Sequence, residues 1–418
     1  MKILFLAHRI PYPPNKGDKI RSFNEIRNLS KRHEIDLVCL ADDPEDIRYA
    51  ENLRKWCRWV FVQPVNARWA KLKGLWWLLK GGAISVGYFY HRNVQETVDQ
   101  WMKETSYDGV FGFSSSVAEY LFRGKEKDHK GDTPWAVMDF CDVDSDKWRQ
   151  YAQKSPFPMN LLYRMEHRRM TAYEDRVNRY FDRSVFVSRP EARLFKKIHP
   201  QATGVSVVTN GVDHLFFSPD AAVDAVDIDN LMLMFAGAMD YHANVDGVRW
   251  FAGDILPDIR KSFPEAHFYI VGNNPHAAVR ELAADAAVTV TGYVEDIRSY
   301  HLAAEVFVVP LRIARGVQNK VLEAMAMGKA VVTTSMAIQG IHPSPEDCLI
   351  VADAEKKFAA SVIKLLGKVA LRSELGGKAR GFIERHYKWD ACMSDLEGVL
   401  GGGVDKELSH LSAIESGI

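Results

Sequence analysis

The chain has 418 residues, 47% of them hydrophobic, and its 54 Lys and Arg balance its 54 Asp and Glu. That length and apolar content suit two domains, each with its own core. The five cysteines (Cys39, Cys57, Cys141, Cys348 and Cys392) are odd in number and scattered, with no C-x-x-C pair, which excludes a disulfide framework and a zinc site and points to a reducing compartment.

The opening run Lys2-Ile-Leu-Phe-Leu-Ala7 is too short for a signal peptide, and no window approaches the run of about 18 apolar residues that a membrane span needs. The expectation is a soluble or peripheral protein, cytoplasmic. Charge is not evenly spread. Residues 1–200 carry 35 Lys and Arg against 26 Asp and Glu, and the remainder 19 against 28. The first half is therefore expected to meet something anionic: a phospholipid surface, a lipid-linked phosphate or a nucleic acid. The chain has no basic-aromatic single-strand motif and no zinc finger, which counts against nucleic acid.

Taken in order, Lys2–Ala7 reads as a buried strand, followed by a proline-rich loop with Gly17 and a helix over residues 20–30. Glu34–Leu40, Val60–Val62, Tyr107–Phe113, Trp135–Asp139 and Asp182–Ser188 are further strands, with helical segments around 44–55, 93–105 and 116–123. Strands alternating with helices imply a parallel, doubly wound sheet. Such sheets bind ligands at the carboxyl ends of their strands. That singles out the loop bearing Gly17 and Arg21, the Ser114–Ser116 turn, and Asp139 with Asp142-Val-Asp144. The first loop lacks the G-x-G-x-x-G spacing, so it is no nicotinamide-dinucleotide fingerprint, though Gly17 and Arg21 could host a phosphate. Asp142-Val-Asp144 looks like a metal-holding D-x-D pair, but the pattern is too short to be specific. A carboxylate at a strand end, free to bond a substrate hydroxyl, is the better reading, and no metal is expected.

Between residues 68 and 80, Trp69, Leu72, Leu75, Trp76 and Leu79 recur at helical spacing beside Arg68, Lys71, Lys73 and Lys80, with Trp77 adjacent. Tryptophans and lysines on one amphipathic helix suit a lipid headgroup interface. The alternative is an ordinary helix packed on the sheet with its lysines in water. A second long helical stretch, Tyr163–Arg183, is rich in arginine and reads as a solvated face or the wall of an acceptor groove.

The second half restarts the alternation. Thr209-Asn-Gly-Val-Asp213 is a turn, and residues 214–229 read as a linker. Met232–Ala236, His267–Val271 and Ala287–Thr291 are strands that end at Gly237, Gly272 and Gly292. Glu305–Val309 is a strand stopped by Pro310, and Lys329–Thr334 is another. The helix between them, from about Val317 to Met327, presents Val321, Leu322, Met325 and Ala326 as its apolar face and stops at Gly328. Arg315, Gly316, Asn319, Lys320 and Glu323 lie at its start or on its other face. A lysine in a first helical turn is disfavoured by the dipole, and that cost makes sense if an anion is its partner. A solvated helix end with chance charges is the competing reading. Helices follow to residue 399, and the tail from Gly401 reads as disordered.

Asn210–Asp213, Phe235-Ala-Gly237, Val271-Gly272, Gly292-Tyr-Val-Glu-Asp296, Val306–Pro310 and Lys320–Gly328 stand in the order found in glycosyltransferase family 4, which this chain resembles. Residues 138–148 with 315–320 look like the subgroup tied to PEP-CTERM exopolysaccharide clusters. The resemblance implies the GT-B fold: an α/β protein of two Rossmann-like, doubly wound parallel-sheet domains facing a central cleft. It divides the chain into an acceptor- and membrane-facing domain over 1–204, a nucleotide-sugar domain over 205–386, a helix over 387–400 packing back on the first domain, and a tail over 401–418.

It further implies a retaining, metal-independent transfer from a UDP- or GDP-sugar, with no other cofactor, to a lipid-linked saccharide at an anionic membrane surface. Glu323 matches the second glutamate of the E-x7-E motif and is implied to accept from the donor ribose. Gly237 is implied to admit the diphosphate, with Gly17 near it from the other domain. Tyr293 and Val294 are implied to flank the base, Gly316 and Asn319 to complete the donor site, and Asp139 to contact the donor sugar. Arg21 and Ser114 are expected on the acceptor side, and Trp69, Trp76, Trp77 and Lys73 at the membrane.

Two departures stand out. Arg315 occupies the position of the first glutamate, and Ala238 and Asn244 stand where the family carries the Arg and Lys that neutralise the leaving diphosphate. Lys320 and Arg315 are expected to have taken over that role. The alternatives are a nucleotide-sugar epimerase on the same fold and a non-catalytic nucleotide-sugar-binding protein.

Overall fold

The computed structural model describes residues 1–122, 135–314 and 316–400. Arg315 and the expected tail over 401–418 therefore lie outside the described residues. The chain divides into two compact units, Met1–Val208 with Met393 onward, and Thr209–Cys392.

The first unit is built on seven strands: β1 (Lys2–Ala7), β2 (Glu34–Ala41), β3 (Trp59–Pro64), β4 (Gly109–Phe113), β5 (Trp135–Cys141), β6 (Arg183–Phe186) and β7 (Val205–Val207). Their spatial order is β3-β2-β1-β4-β5-β6-β7, with every pairing parallel. The second unit has six: β8 (Leu231–Ala236), β9 (Ala266–Val271), β10 (Val288–Gly292), β11 (Val306–Val309), β12 (Val331–Thr333) and β13 (Ile350–Val351). Their order is β10-β9-β8-β11-β12-β13, again all parallel. Both sheets are doubly wound, and the strand order reverses between β1 and β4 in one and between β8 and β11 in the other. Ligands bind such sheets outside the carboxyl ends of the strands at that reversal.

The sequence explains why the strands are continuous apolar runs rather than alternating ones. Helices cover both faces, so Ile3–Ala7, Met232–Ala236 and Val306–Val309 are buried throughout.

The boundary between units lies four residues later than the sequence suggests. Val205–Val207 does not open the second domain but pairs with β6 as the edge of the first sheet. Residues 387–392 also stay with the second unit. Tyr387 is fully buried in that core, and its hydroxyl donates to the carbonyl of His342. The last helix, Trp389–Leu400, ends in the first unit, where Glu397 lies 3.2 Å from His33. Residues 214–229 form no regular element.

The eight-residue helix Asn319–Ala326 is held from its far end. Arg380 Nη1 donates to the carbonyls of Ala326, His214 and Phe217, each at 2.8 Å. A guanidinium there satisfies a carbonyl left open by the helix terminus and complements its dipole. Gly376 packs against the same corner, where an added Cβ would stand 2.0 Å from the Gly328 carbonyl oxygen. The start of this helix is thereby set beside the carboxyl ends of β8 and β11.

Candidate active site

Three strands of the second sheet end on glycine in one row. Gly237, Gly272 and Gly292 follow or end β8, β9 and β10 with φ of 156°, 150° and 69°. The row is tightly bonded. Gly237 N–H donates to Val271 O at 3.1 Å, and Gly272 N–H donates to Gly292 O at 3.2 Å. A Cβ on Gly272 would sit 1.8 Å from Gly237 O. Gly272→Ala is therefore expected to cost at least ~3 kcal/mol, from backbone collision together with a conformation that side chains rarely adopt. Gly377→Ala is the control. It lies inside the helix Val369–His386, where an added Cβ meets nothing within 4 Å, and it should stabilise by about 0.5–1 kcal/mol. Urea unfolding of the two variants measures both.

The ledge made by Gly237 faces the first turn of Asn319–Ala326. A Cβ on Gly237 would lie 2.8 Å from Asn244 Nδ2 and 3.1 Å from Lys320 Nζ. Lys320 donates to Asn244 Oδ1 at 2.5 Å, and the Asn244 amide is fixed in turn by donating to Ala238 O at 2.8 Å. The ammonium also stands 4.6 Å from the centroid of the Phe235 ring, a favourable cation–π placement. Glu323 follows one turn along the same helix.

These two charged groups sit in a poorly solvated place, and each is pushed toward neutrality. Burial lowers the Lys320 ammonium to about 7, although Glu323 pulls it the other way. Burial raises the Glu323 carboxyl to about 7 against the pull of Lys320. Among the described residues this lysine is bonded to a neutral amide and a ring face alone, so an incoming anion would favour its charged form and meet a cation. At the helix start, the Asn319 Oδ1 is buried with no hydrogen-bond partner among the described residues.

Gly316 adopts φ 59° and is backed by Gly340, whose Cβ would meet the Gly316 carbonyl at 2.0 Å. Gly340 has no local signal, because its reason is a contact 24 residues away. Tyr293 is exposed, whereas Val294 is half-buried against the core. The structure thus brings Gly237, Asn244, Lys320 and Glu323 together.

In the first unit the picture differs. Asp139 and Arg21 are both inaccessible to solvent. Arg21 grips Asp139 through Nε at 2.9 Å and through its second terminal nitrogen, and it donates from Nη1 to Val208 O at 2.8 Å. Glu25 lies 3.3 Å away on the next helical turn. Here Asp139 is not a free carboxylate at a strand end, and Arg21 does not face an acceptor. They form a buried pair. Ser114 closes β4 with φ 71°, its N–H on Asp139 O. Gly17 opens the helix Gly17–Leu29, exposed and with no atom near its missing Cβ.

A cluster the sequence does not announce surrounds the end of β1. The His8 ring stacks on Phe113, and its Nε2 stands 3.5 Å from Asp18. Arg9 bridges Asp18 at 2.7 Å and Asp42 at 2.9 Å. Burial opposes ionisation of Asp18, but His8 and Arg9 overcome it and hold the carboxyl well below its usual range.

The helix expected at a membrane spans Ala67–Leu79. Trp69 and Trp76 are exposed on it. Lys73 and Trp77 are not part of that face. The Lys73 ammonium turns inward to the Tyr90 carbonyl, and Trp77 packs over Gly82 and Gly87. Among the described residues no group of three His, Cys, Asp or Glu could hold a metal ion, and no helix is long and apolar enough to cross a membrane.

Residues 230–368 match the family model described as Glycosyl transferases group 1. That stretch contains β8 to β13 and every residue of the second-unit site. Along nearly its whole length the chain is also similar to an uncharacterized protein in the cps region of Klebsiella pneumoniae. The two are 20% identical over 408 residues, which is 94% of this chain and 98% of the relative. Among solved structures, sucrose-phosphate synthase from Thermosynechococcus elongatus superposes with a TM-score of 0.67 at 15% identity, covering 96% of this chain and all of that one. HepE of Anabaena, in complex with UDP and glucose, superposes with a TM-score of 0.64 at 15% identity and the same coverage. These likenesses give the chain the two-domain α/β GT-B fold.

Proposed function

We propose that this protein is a retaining, metal-independent glycosyltransferase of family 4, in the PEP-CTERM-associated subgroup. It takes a sugar from a UDP- or GDP-linked donor and transfers it to a lipid-linked saccharide during exopolysaccharide assembly, at the cytoplasmic face of the membrane. The observation that carries the reading is the position of Lys320: its ammonium lies against the glycine ledge at the end of β8, 2.5 Å from the Asn244 that stands where the family carries a cation.

In this reading the donor diphosphate lies over Gly237, where the missing side chain leaves room for its oxygens. Lys320 neutralises the charge that grows on the leaving diphosphate as the glycosidic bond breaks. That interaction strengthens toward the transition state, so it lowers the barrier rather than merely tightening binding. Glu323 accepts from the donor ribose, and Tyr293 lies against the base. Gly316 and Asn319 line the sugar side, and the unpartnered Asn319 Oδ1 accepts a donor hydroxyl. Arg315 adds positive charge to the same loop. Helix Ala67–Leu79 holds the first unit at an anionic membrane surface, where a lipid-linked acceptor is found.

Thermal unfolding against a panel of nucleoside diphosphates tests the donor site. UDP or GDP, and not both equally, should raise the midpoint, and a ligand at about 100 times its Kd adds about 2.7 kcal/mol of stability. No shift with any nucleotide overturns the reading. The matching nucleotide sugar, incubated alone, should keep its sugar unchanged. Interconversion to an epimer would assign the site to an epimerase instead.

A further inference from the structure

Helix Ala67–Leu79 is packed inside out. The face it buries is small: Ala70, Gly74 and Leu78. Gly74 comes so close to the next helix that a Cβ would lie 2.8 Å from Ile84 O. The face it exposes is large and apolar, with Trp69 70% and Leu79 79% exposed and Leu72, Leu75 and Trp76 between them. Arg68, Lys71 and Lys80 rim this face, and Lys80 lies over the Trp76 ring.

A second set of exposed apolar side chains occurs in the same unit, on a turn no sequence feature singles out. Phe157 is 79% exposed, and Met159, Leu161 and Met165 follow it on the start of the helix Met159–Tyr180. Leu161 and Met165 share the face of that helix opposite its buried Glu166 and Met170. Arg164, Arg168 and Arg169 are exposed beside them, and none makes an ion pair with a described residue.

The two sets are joined. The Glu166 carboxylate accepts from Ile84 N at 2.6 Å and from the Ser85 amide and hydroxyl at 2.8 and 2.7 Å. That clamps the chain just past Leu79 to the helix bearing Met165. At the same joint, a Cβ on Gly81 would lie 3.8 Å from the Arg169 guanidinium.

From this we infer that the membrane-binding surface is bipartite: helix Ala67–Leu79 and the 157–165 turn enter one anionic phospholipid leaflet together, with the six unpaired or rim cations at its headgroups. The inference rests on the membrane reading above and extends it to a second anchor. Tryptophan, leucine, methionine and phenylalanine ringed by arginine and lysine match the boundary between acyl chains and anionic headgroups. A second copy of this chain would bring like charges face to face. Two anchors fixed in one rigid joint also bind as a unit, so the loss of either is felt almost in full.

The test is co-sedimentation of the full chain with phosphatidylglycerol-containing vesicles and with pure phosphatidylcholine vesicles. Circular dichroism melts confirm folding, since every substituted position is exposed. Wild type should partition at least ~10-fold more strongly onto the anionic vesicles, because several cations add to the apolar contact. Leu161→Glu with Met165→Glu should lower that partition at least ~10-fold with the tryptophan helix intact. Trp69→Glu with Trp76→Glu should do the same. If only the tryptophan variant loses binding, the second anchor is refuted and the membrane reading stands. If wild type does not bind vesicles at all, both fall. If light scattering shows a dimer that Leu161→Glu with Met165→Glu dissociates, the turn is a protein interface and the inference is overturned.

Discussion

Lys320→Ala is expected to lower kcat about 10²–10³-fold, the loss typical of removing one group aimed at charge developing in a transition state. Binding of the donor should weaken less than turnover falls, because the diphosphate gains charge only as the bond breaks. The fold should tolerate the change, since burial already disfavours this ammonium. The pH dependence identifies the group. An anion beside Lys320 raises its pKa from about 7, so donor binding takes up a proton above that pH, and affinity falls as pH rises through it. Glu323, pushed up to about 7 by burial, accepts from both ribose hydroxyls, with charge-assisted bonds, when ionised, and protonation turns one of its oxygens into a donor, so affinity also falls as pH drops below it. Nucleotide affinity should therefore peak near neutrality and decline toward ~10-fold per pH unit on either side, with limits that belong to the coupled pair. Calorimetric titration across this range checks it. Lys320→Ala should abolish the alkaline decline, and Glu323→Gln should abolish the acidic one. A Lys320→Ala enzyme that turns over normally refutes the relocation of the leaving-group cation from the loop after β8.

The sequence was most readable where chemistry is local. A strand stopped by Pro310, a first-turn lysine and Gly328 sufficed to place the helix near 319–326, because strand ends, helix starts and left-handed stops are written in a few adjacent residues. The apolar stretches at Lys2–Ala7 and Met232–Ala236 gave two parallel sheets for a similar reason: burial on both faces leaves no polar residue in the run. What could not be read depended on partners distant in the chain. Nothing near Asp139 reveals that Arg21, 118 residues earlier, occupies its carboxylate. Lys73 and Lys80 are alike in sequence, yet one turns in to a carbonyl and the other lies over Trp76 on the surface. Helical spacing located the stripe containing both, but it did not tell which arc the neighbouring helix would cover. The three-residue strand Val205–Val207 was assigned to the wrong unit because a short apolar run at a boundary carries no sign of the sheet it joins.

Asp139→Ala is expected to destabilise the first unit by about 3–5 kcal/mol, because it strands the Arg21 guanidinium without its counter-charge in the interior. At roughly 2–4 °C per kcal/mol for a unit of this size, the midpoint should fall by about 10 °C. Glu25 decides which end of that range applies. Its carboxyl is fully buried and is held well above its ordinary pKa by burial and by neighbouring Asp139. With Asp139 gone, Glu25 can ionise 3.3 Å from Arg21 and take over part of the pairing. The double variant with Glu25→Gln should therefore lose more than the single changes added together. Glu25→Gln alone should do the opposite. The native carboxyl stays protonated in the fold but ionises in the unfolded chain above about pH 4.3, so its burial costs more as pH rises. Removing it should raise the midpoint at neutral pH and change little below pH ~4. Turnover per folded molecule separates this structural account from a catalytic one. With the Asp139→Ala protein assayed well below its lowered midpoint, the buried pair predicts kcat within a few-fold of wild type. A loss of about 10²-fold or more would instead require Asp139 to leave Arg21 and reach the donor sugar.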